Sequence, residues 1–413
     1  MATRILSQAA PALAAATLLL GCAGDDAGGD GDDAAVDGTG AEGTGGDDGN
    51  SDSADDGGDS GSSGDGNSGE ESTGGPVAQG IPVLGNYGHT LDDVQLELIL
   101  ETDLSRPTDA EISPHNPEEL WITNQGNNSI TIVVNPGEGQ EVDWKGAPGD
   151  NGGHFLAKPA AIAFGQDGVM ATAQQTNEIT QPGTPADFMG PTMWTSERAV
   201  FNGGHLSHLD MLHNSPNASG ITWESGNAYW VFDGDHGSLT RYDFHEDHDL
   251  GGTDHTDGEV HRAVDGQLSF FPGVAAHIAY DQSTGLLYSV DPGTNRIMVL
   301  DTQSGTVGTT INPNYDGGTQ NFLSDCDFQV FVDGSDLDAA MSIPSGLEIH
   351  DGMIFVTDHE MGTVAAFDME GELVDWLDTG WDQGTLMGLT FDPDGRMYLV
   401  DSLNDRVYRV SAL

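Results

Sequence analysis

Ser345-Gly346-Leu347-Glu348-Ile349-His350-Asp351-Gly352-Met353-Ile354-Phe355-Val356-Thr357-Asp358 reads as two short strands folded about an Asp-Gly turn. An Asp-Gly pair between β-rich apolar runs is a strong short-range signal for a hairpin, because the turn needs positive φ. The same pattern returns along the chain. Leu389-Thr390-Phe391 leads through Asp392-Pro393-Asp394-Gly395 into Arg396–Asp401, and Gly220–Trp223 leads through Ser225-Gly226-Asn227 into Ala228–Asp233. His277–Tyr280 precedes Leu286–Asp291 in the same way. Weaker copies run from Ile112 to Thr123 and from Pro159 to Gln174. Each second strand ends on an acid or amide: Asn124, Gln174, Asp233, Asp291, Asp358 and Asp401.

Third strands follow several copies, as in Arg296–Asp301, Leu239–Tyr242 and Arg406–Val410. Repeats of this length imply sheets arranged radially rather than one continuous sheet. The expected fold is all-β, a six-bladed β-propeller over residues 81–413, with long insertions at about 177–216, 243–275 and 303–343. The last copy runs out at Leu413 after three strands. The alternating segment Val94–Glu101 is therefore expected to supply its fourth strand and close the ring, removing an exposed edge.

The N-terminus carries different instructions. Arg4, an apolar Ala9–Leu20 run and Leu19-Leu20-Gly21-Cys22 look like a lipoprotein signal peptide over 1–21, with Cys22 as the lipidated residue. Residues 22–80 are Gly, Asp, Ser and Ala with sixteen carboxylates and no Lys or Arg, which predicts a disordered acidic tether. Ala23 after the lipidated cysteine favours the outer membrane or cell surface, with the periplasmic side as the other location.

The whole chain has 68 acidic against 11 basic residues, a net charge of −57, which argues against nucleic acid and anionic lipid surfaces as partners. Adaptation to a salty exterior and a set of cation sites both account for the charge, and only two lysines favour the former. With Cys22 committed to lipid, Cys326 stands alone, so no intrachain disulfide is expected and Cys326 reads as a small buried apolar residue. Trp121, Trp194, Trp223 and Trp230 read as packing between sheets, with an aromatic ligand floor as the other reading.

These copies resemble the NHL-type six-bladed propellers and their TolB-like relatives over about residues 108–413. That resemblance implies architecture more than activity, since the fold hosts many chemistries. Peptidyl-hydroxyglycine amidating lyases of this fold hold zinc with three inner-strand histidines. Here only His277 lies near such a position, and Gly220, Gly346 and Gly388 take the equivalent places in other blades.

Inner-strand starts and second-strand ends share one face of such a ring. This brings His236, His277 and His359, together with Asp233 and Asp358, to one mouth, with His213 or His208 folding over it from the insertion. Such a set could hold a divalent, zinc-like transition metal. The strand-end carboxylates also have a purely structural use, accepting N–H bonds from the following turn. A second candidate cation loop is His245, Asp247, His248, Asp249, Asp254, His255 and Asp257, where oxygens suit calcium and imidazoles suit zinc-like ions.

No nucleophile elbow or phosphate loop is present, and no organic cofactor is implied. The leading reading is a lipid-anchored, monomeric binding or scaffold module for a peptide, glycan or protein ligand. The alternative is a metal-dependent lyase or hydrolase with a His-lined site.

Overall fold

A computed structural model describes residues 80–146, 153–180, 187–201, 207–337 and 340–413. The expected signal peptide, Cys22 and the tether up to residue 79 lie outside the described residues. A first strand β1 (Val94–Leu100) precedes six sheets. Blade one is β2 (Pro107–Ile112), β3 (Glu119–Asn124), β4 (Ser129–Val134) and β5 (Glu141–Gly146). Blade two is β6 (Pro159–Phe164), β7 (Val169–Gln174), β8 (Pro191–Thr195) and β9 (His208–Met211). Blade three is β10 (Ala218–Ser225), β11 (Ala228–Asp233), β12 (Ser238–Asp243) and β13 (Glu259–Ala263).

Blade four is β14 (Ile278–Asp281), β15 (Leu286–Asp291) and β16 (Arg296–Asp301). Between β16 and its outer strand the chain makes a hairpin of β17 (Thr306–Thr310) and β18 (Thr319–Ser324), then returns as β19 (Phe328–Asp333). Blade five is β20 (Pro344–His350), β21 (Met353–Asp358), β22 (Thr363–Phe367) and β23 (Leu373–Asp378). Blade six is β24 (Leu386–Phe391), β25 (Met397–Asp401) and β26 (Arg406–Ala412). Each blade is an antiparallel sheet, so the molecule is the six-bladed propeller that the repeats imply.

The ring closes as expected. β1 pairs antiparallel with β26, Val94 opposite Ala412 and Leu98 opposite Tyr408, and so completes blade six. Val94, Ile99 and Leu100 are buried there. The preceding segment is also anchored: Ile81, Val83 and Leu84 are buried, and the Ile81 N–H donates to Asp375 Oδ2 at 2.8 Å.

Most of the core lies between neighbouring blades, where the apolar faces of flat sheets meet. Trp230 and Phe232 of β11 share one cluster with Ile278 and Leu287 of blade four, and Ile354 and Val356 of β21 join it. Trp121 and Trp194 sit with Phe188 and Phe201 in another. Trp121, Trp194 and Trp230 are buried and their indole N–H groups donate to Glu119, Thr172 and Glu224, which bears out the packing reading for these three.

Two features exceed the expected plan. All three insertions contain outer strands of blades, so they are built into the ring rather than laid over it. The β17–β18 hairpin also leaves its own blade: β18 pairs parallel with β13, Glu259 opposite Thr319, and widens blade three to six strands. Cys326 is half-buried against the blade-four cluster, and burial pushes its thiol up, as suits packing rather than nucleophilic chemistry.

Candidate functional site: the central channel and a histidine cluster at an outer strand

The strand-end residues serve the turns that follow them. The Asp358 carboxylate accepts from the Glu360 N–H at 3.0 Å, Met361 at 2.7 Å and Ser342 at 2.6 Å. Asp233 accepts from the backbone and ring of His236, Asp291 from Ser269 and Thr294, and Asp401 from Asn404. Burial holds Asp233, Asp358 and Asp401 above the ordinary carboxylate range, opposed by these N–H donors. Replacing Asp358 with Ala should leave three backbone donors without an acceptor and cost about 3 kcal/mol, readable by urea unfolding. Asp358→Asn, which keeps one acceptor oxygen, should cost about half of that.

The mouth imidazoles are engaged one by one. His236 Nδ1 lies 2.8 Å from Asp233 Oδ2. His359 Nδ1 pairs with the Leu386 carbonyl at 2.8 Å, and the residue lines an opening of about 520 Å³ with Arg106, Gly384, Ser402 and Asp405. His213 is buried against Phe188, its Nδ1 2.6 Å from Asp316 Oδ1 rather than beside His236. His277 lies deeper, on the channel axis. Among the described residues one group of three metal-ligating side chains converges, and it contains none of these four.

His277 belongs instead to a plug. It is 5% exposed, and its Nδ1 lies 3.5 Å from Oδ1 of Asp109, which reaches the axis from the blade opposite. Asp109 is 3% exposed and accepts from the Ala110 N–H at 2.8 Å and the Ile162 N–H at 2.9 Å. The inner-strand glycines Gly220 and Gly388 have a steric reason here. A Cβ on Gly388 would sit 2.8 Å from the Asp109 Cα and 3.0 Å from His277 Cε1, and one on Gly220 would sit 2.0 Å from the Ala276 carbonyl oxygen. Burial pushes His277 down to about 4 and Asp109 well up.

Below the plug, where inner strands end, is a cavity of about 310 Å³. Glu111 and Glu348 line it with Trp223, Tyr280, Gln282 and Phe164. Glu348 is pushed up to about 8 by burial and by the neighbouring Asp109 charge. Glu111 is also held well above its ordinary range, by burial first and then by Glu348 and Asp109. Protein surrounds both carboxyls, yet both residues are only half-buried and line the cavity, so neither is fully enclosed. Thr390 Oγ1 donates to Glu111 at 3.3 Å, and neither carboxylate has a basic partner among the described residues. The sequence signal for this site is period two: Asp109 and Glu111 fall on one face of β2, two acids within an inner strand.

The second candidate loop is partly assembled, and with a partner the loop itself does not contain. His248 and His255, from the β12–β13 connection, meet Asp210 of β9, with one ligand atom from each within 4.8 Å of the others. The remaining loop residues do other work. Asp247 caps Asp249 N–H, Asp254 caps Thr256, and Asp257 accepts from Glu246 N–H. Exposed His245 lies near Asp243 and Glu259.

No family model matches the chain, and no curated protein matches it in sequence. Similar solved structures include a calcium-binding protein, regucalcin, from Agrobacterium tumefaciens: 12% identity, 77% of this chain, 94% of that one, TM-score 0.48. Auxiliary nutrient binding proteins from Bacteroides ovatus (14%, 74% of this chain, 69% of that one, TM-score 0.46) and Bacteroides thetaiotaomicron (13%, 75%, 69%, 0.48) are also similar. At such identities the likeness transfers no ligand, and the strand order of this chain establishes by itself that it is a six-bladed β-propeller.

Proposed function

We propose that this protein is a lipid-anchored, exported binding module whose lower channel mouth receives an organic cation, such as a Lys or Arg side chain of a peptide or protein partner. The supporting observation is a pair of carboxyl groups, Glu111 and Glu348, without basic partners among the described residues, in an aromatic-walled cavity of about 310 Å³. Enclosing like charges without a counter-ion is costly, so the carboxyls hold protons until a cation compensates them. Trp223 and Tyr280 add faces against which a guanidinium or ammonium can lie. The buried Asp109–His277 contact, close in the chain to the lining residues Glu111 and Ile278, limits the depth a side chain can reach.

Titrating the full chain with an Arg-containing tetrapeptide, followed by tryptophan fluorescence and calorimetry, tests this reading. Saturable binding is expected to tighten severalfold from pH 7 to pH 8.5, as Glu348 ionises through its raised range near 8. Glu348→Gln should weaken it at least tenfold and abolish that pH dependence. Binding unchanged in Glu348→Gln, or none at millimolar peptide, removes the proposal.

A further inference from the structure

The two His-rich insertions, far apart in sequence, close on each other. The Asp210 side chain on β9 is 1% exposed, and its Oδ1 accepts from Met211 N–H and lies 2.7 Å from His255 Nδ1. The connection carrying His248 and His255 is fastened to β9 by its backbone: His248 N–H donates to the Leu209 carbonyl at 3.1 Å, and Gly251 N–H to the His208 carbonyl at 3.1 Å. The rings of His248 and His255 stand 4.9 Å apart, and the His208 ring lies 4.9 Å on the other side of His248. His248 Nδ1 is 2.7 Å from the Asp249 carbonyl oxygen, a contact only the Nδ1–H tautomer satisfies. That leaves Nε2 with its lone pair free, and this buried nitrogen has no hydrogen-bond partner.

We propose that Asp210, His248 and His255 form a divalent transition-metal site of the zinc class that staples the blade-three insertion to the outer strand of blade two. Two imidazoles and one carboxylate are a borderline-soft donor set, which suits zinc or cobalt and not the all-oxygen preference of calcium. The geometry is built by the fold before any ion arrives. The docked backbone fixes the imidazoles, the Asp249 carbonyl fixes the His248 tautomer, and the buried Nε2 is a donor for which the protein supplies no other use. Three protein ligands leave coordination positions for water. The site lies at an outer strand, away from the channel, so its occupancy is independent of the binding reading above.

The test uses the full chain, stripped with a chelator and then equilibrated with zinc or with cobalt alone. One equivalent of zinc should survive desalting, raise the melting temperature by several degrees, and protect residues near 248–255 from hydrogen exchange. Cobalt should give visible d–d absorption with imidazole character. His248→Gln and Asp210→Asn should each weaken zinc binding at least tenfold, while His245→Ala and His261→Ala, in the same region but outside the group, should bind as the parent does. Circular dichroism of each variant in the chelated state separates loss of the site from loss of fold. Retention of less than a tenth of an equivalent by the parent overturns the proposal. So does equal retention by a folded His248→Gln, because metal would then be held by the chain's other histidines.

Discussion

A chain begun at Asp103, lacking β1 and the segment before it, is expected to show no cooperative thermal transition. The reason is the number of buried side chains lost together. Ile81, Val83 and Leu84 pack against blades five and six with Val94, and Ile99 and Leu100 fill the seam between blades six and one. At roughly 1.5–3 kcal/mol for each fully buried aliphatic side chain, six of them amount to about 9–18 kcal/mol, as much as the whole stability of an ordinary domain. The truncation also bares β26 as an open edge and leaves the Asp375 carboxylate without the Ile81 and Tyr87 N–H groups. Circular dichroism melts and size-exclusion chromatography check this. The parent should melt as one unit, whereas the truncated chain should aggregate, and a synthetic peptide spanning 80–102 added in trans should restore part of the folded signal. A truncated chain that melts within a few degrees of the parent would mean that the ring does not depend on closure.

That closure was legible because a ring imposes a count. Three strands in the last copy demanded a fourth, and Val94–Glu101 was the alternating segment left over. Inner hairpins were legible for a different reason: their Asp-Gly and Asn turns mark the chain locally. Outer strands gave little signal because a rim strand need not be apolar. Every residue of β17 is exposed, and no residue of β5 is buried, which leaves no buried face to pattern the sequence. The parallel pairing of β18 with β13 joins segments some sixty residues apart and has no local mark at all.

The site was read less well for related reasons. Ring geometry assigns a residue to a face but not to a depth, so it puts His236, His277 and His359 at one mouth, whereas His277 is buried against Asp109. The pairing of His213 with Asp316 depends on an insertion whose course follows no repeat. Asp109, Glu111 and Glu348 were passed over because they weaken the strand pattern that identifies a blade. An acid inside an inner strand is a conflict between local propensity and environment, and such conflicts mark functional places.

The same carboxylates predict how stability responds to pH. Glu348 ionises near 4.5 when unfolded and near 8 when folded, so across that interval the folded chain holds the extra proton. Stability then falls as pH rises through the interval, with its loss complete above 8. His277 works in the opposite direction. Its folded value near 4 lies below the unfolded 6.5, so its contribution is complete above 6.5 and is lost as pH falls towards 4. The two slopes offset each other between about 4.5 and 6.5, and the decline attributable to Glu348 stands uncovered from 6.5 to 8. Glu111 and Asp109, both raised chiefly by burial, act in the same direction as Glu348. A shift from 4.5 to 8 corresponds to roughly 5 kcal/mol at full desolvation, and with Glu348 only half-buried the expected contribution is about 2–3 kcal/mol. Glu348→Gln mimics the neutral acid at every pH. It should match the parent at pH 5 and exceed it by about 2–3 kcal/mol at pH 8.5, measured by urea unfolding at both values. A variant equally stable to the parent at pH 8.5, or destabilised by the same amount at both, would show that Glu348 is ionised in the folded chain. The channel would then already hold a compensating cation, and the gain from binding one through Glu348 would vanish with it.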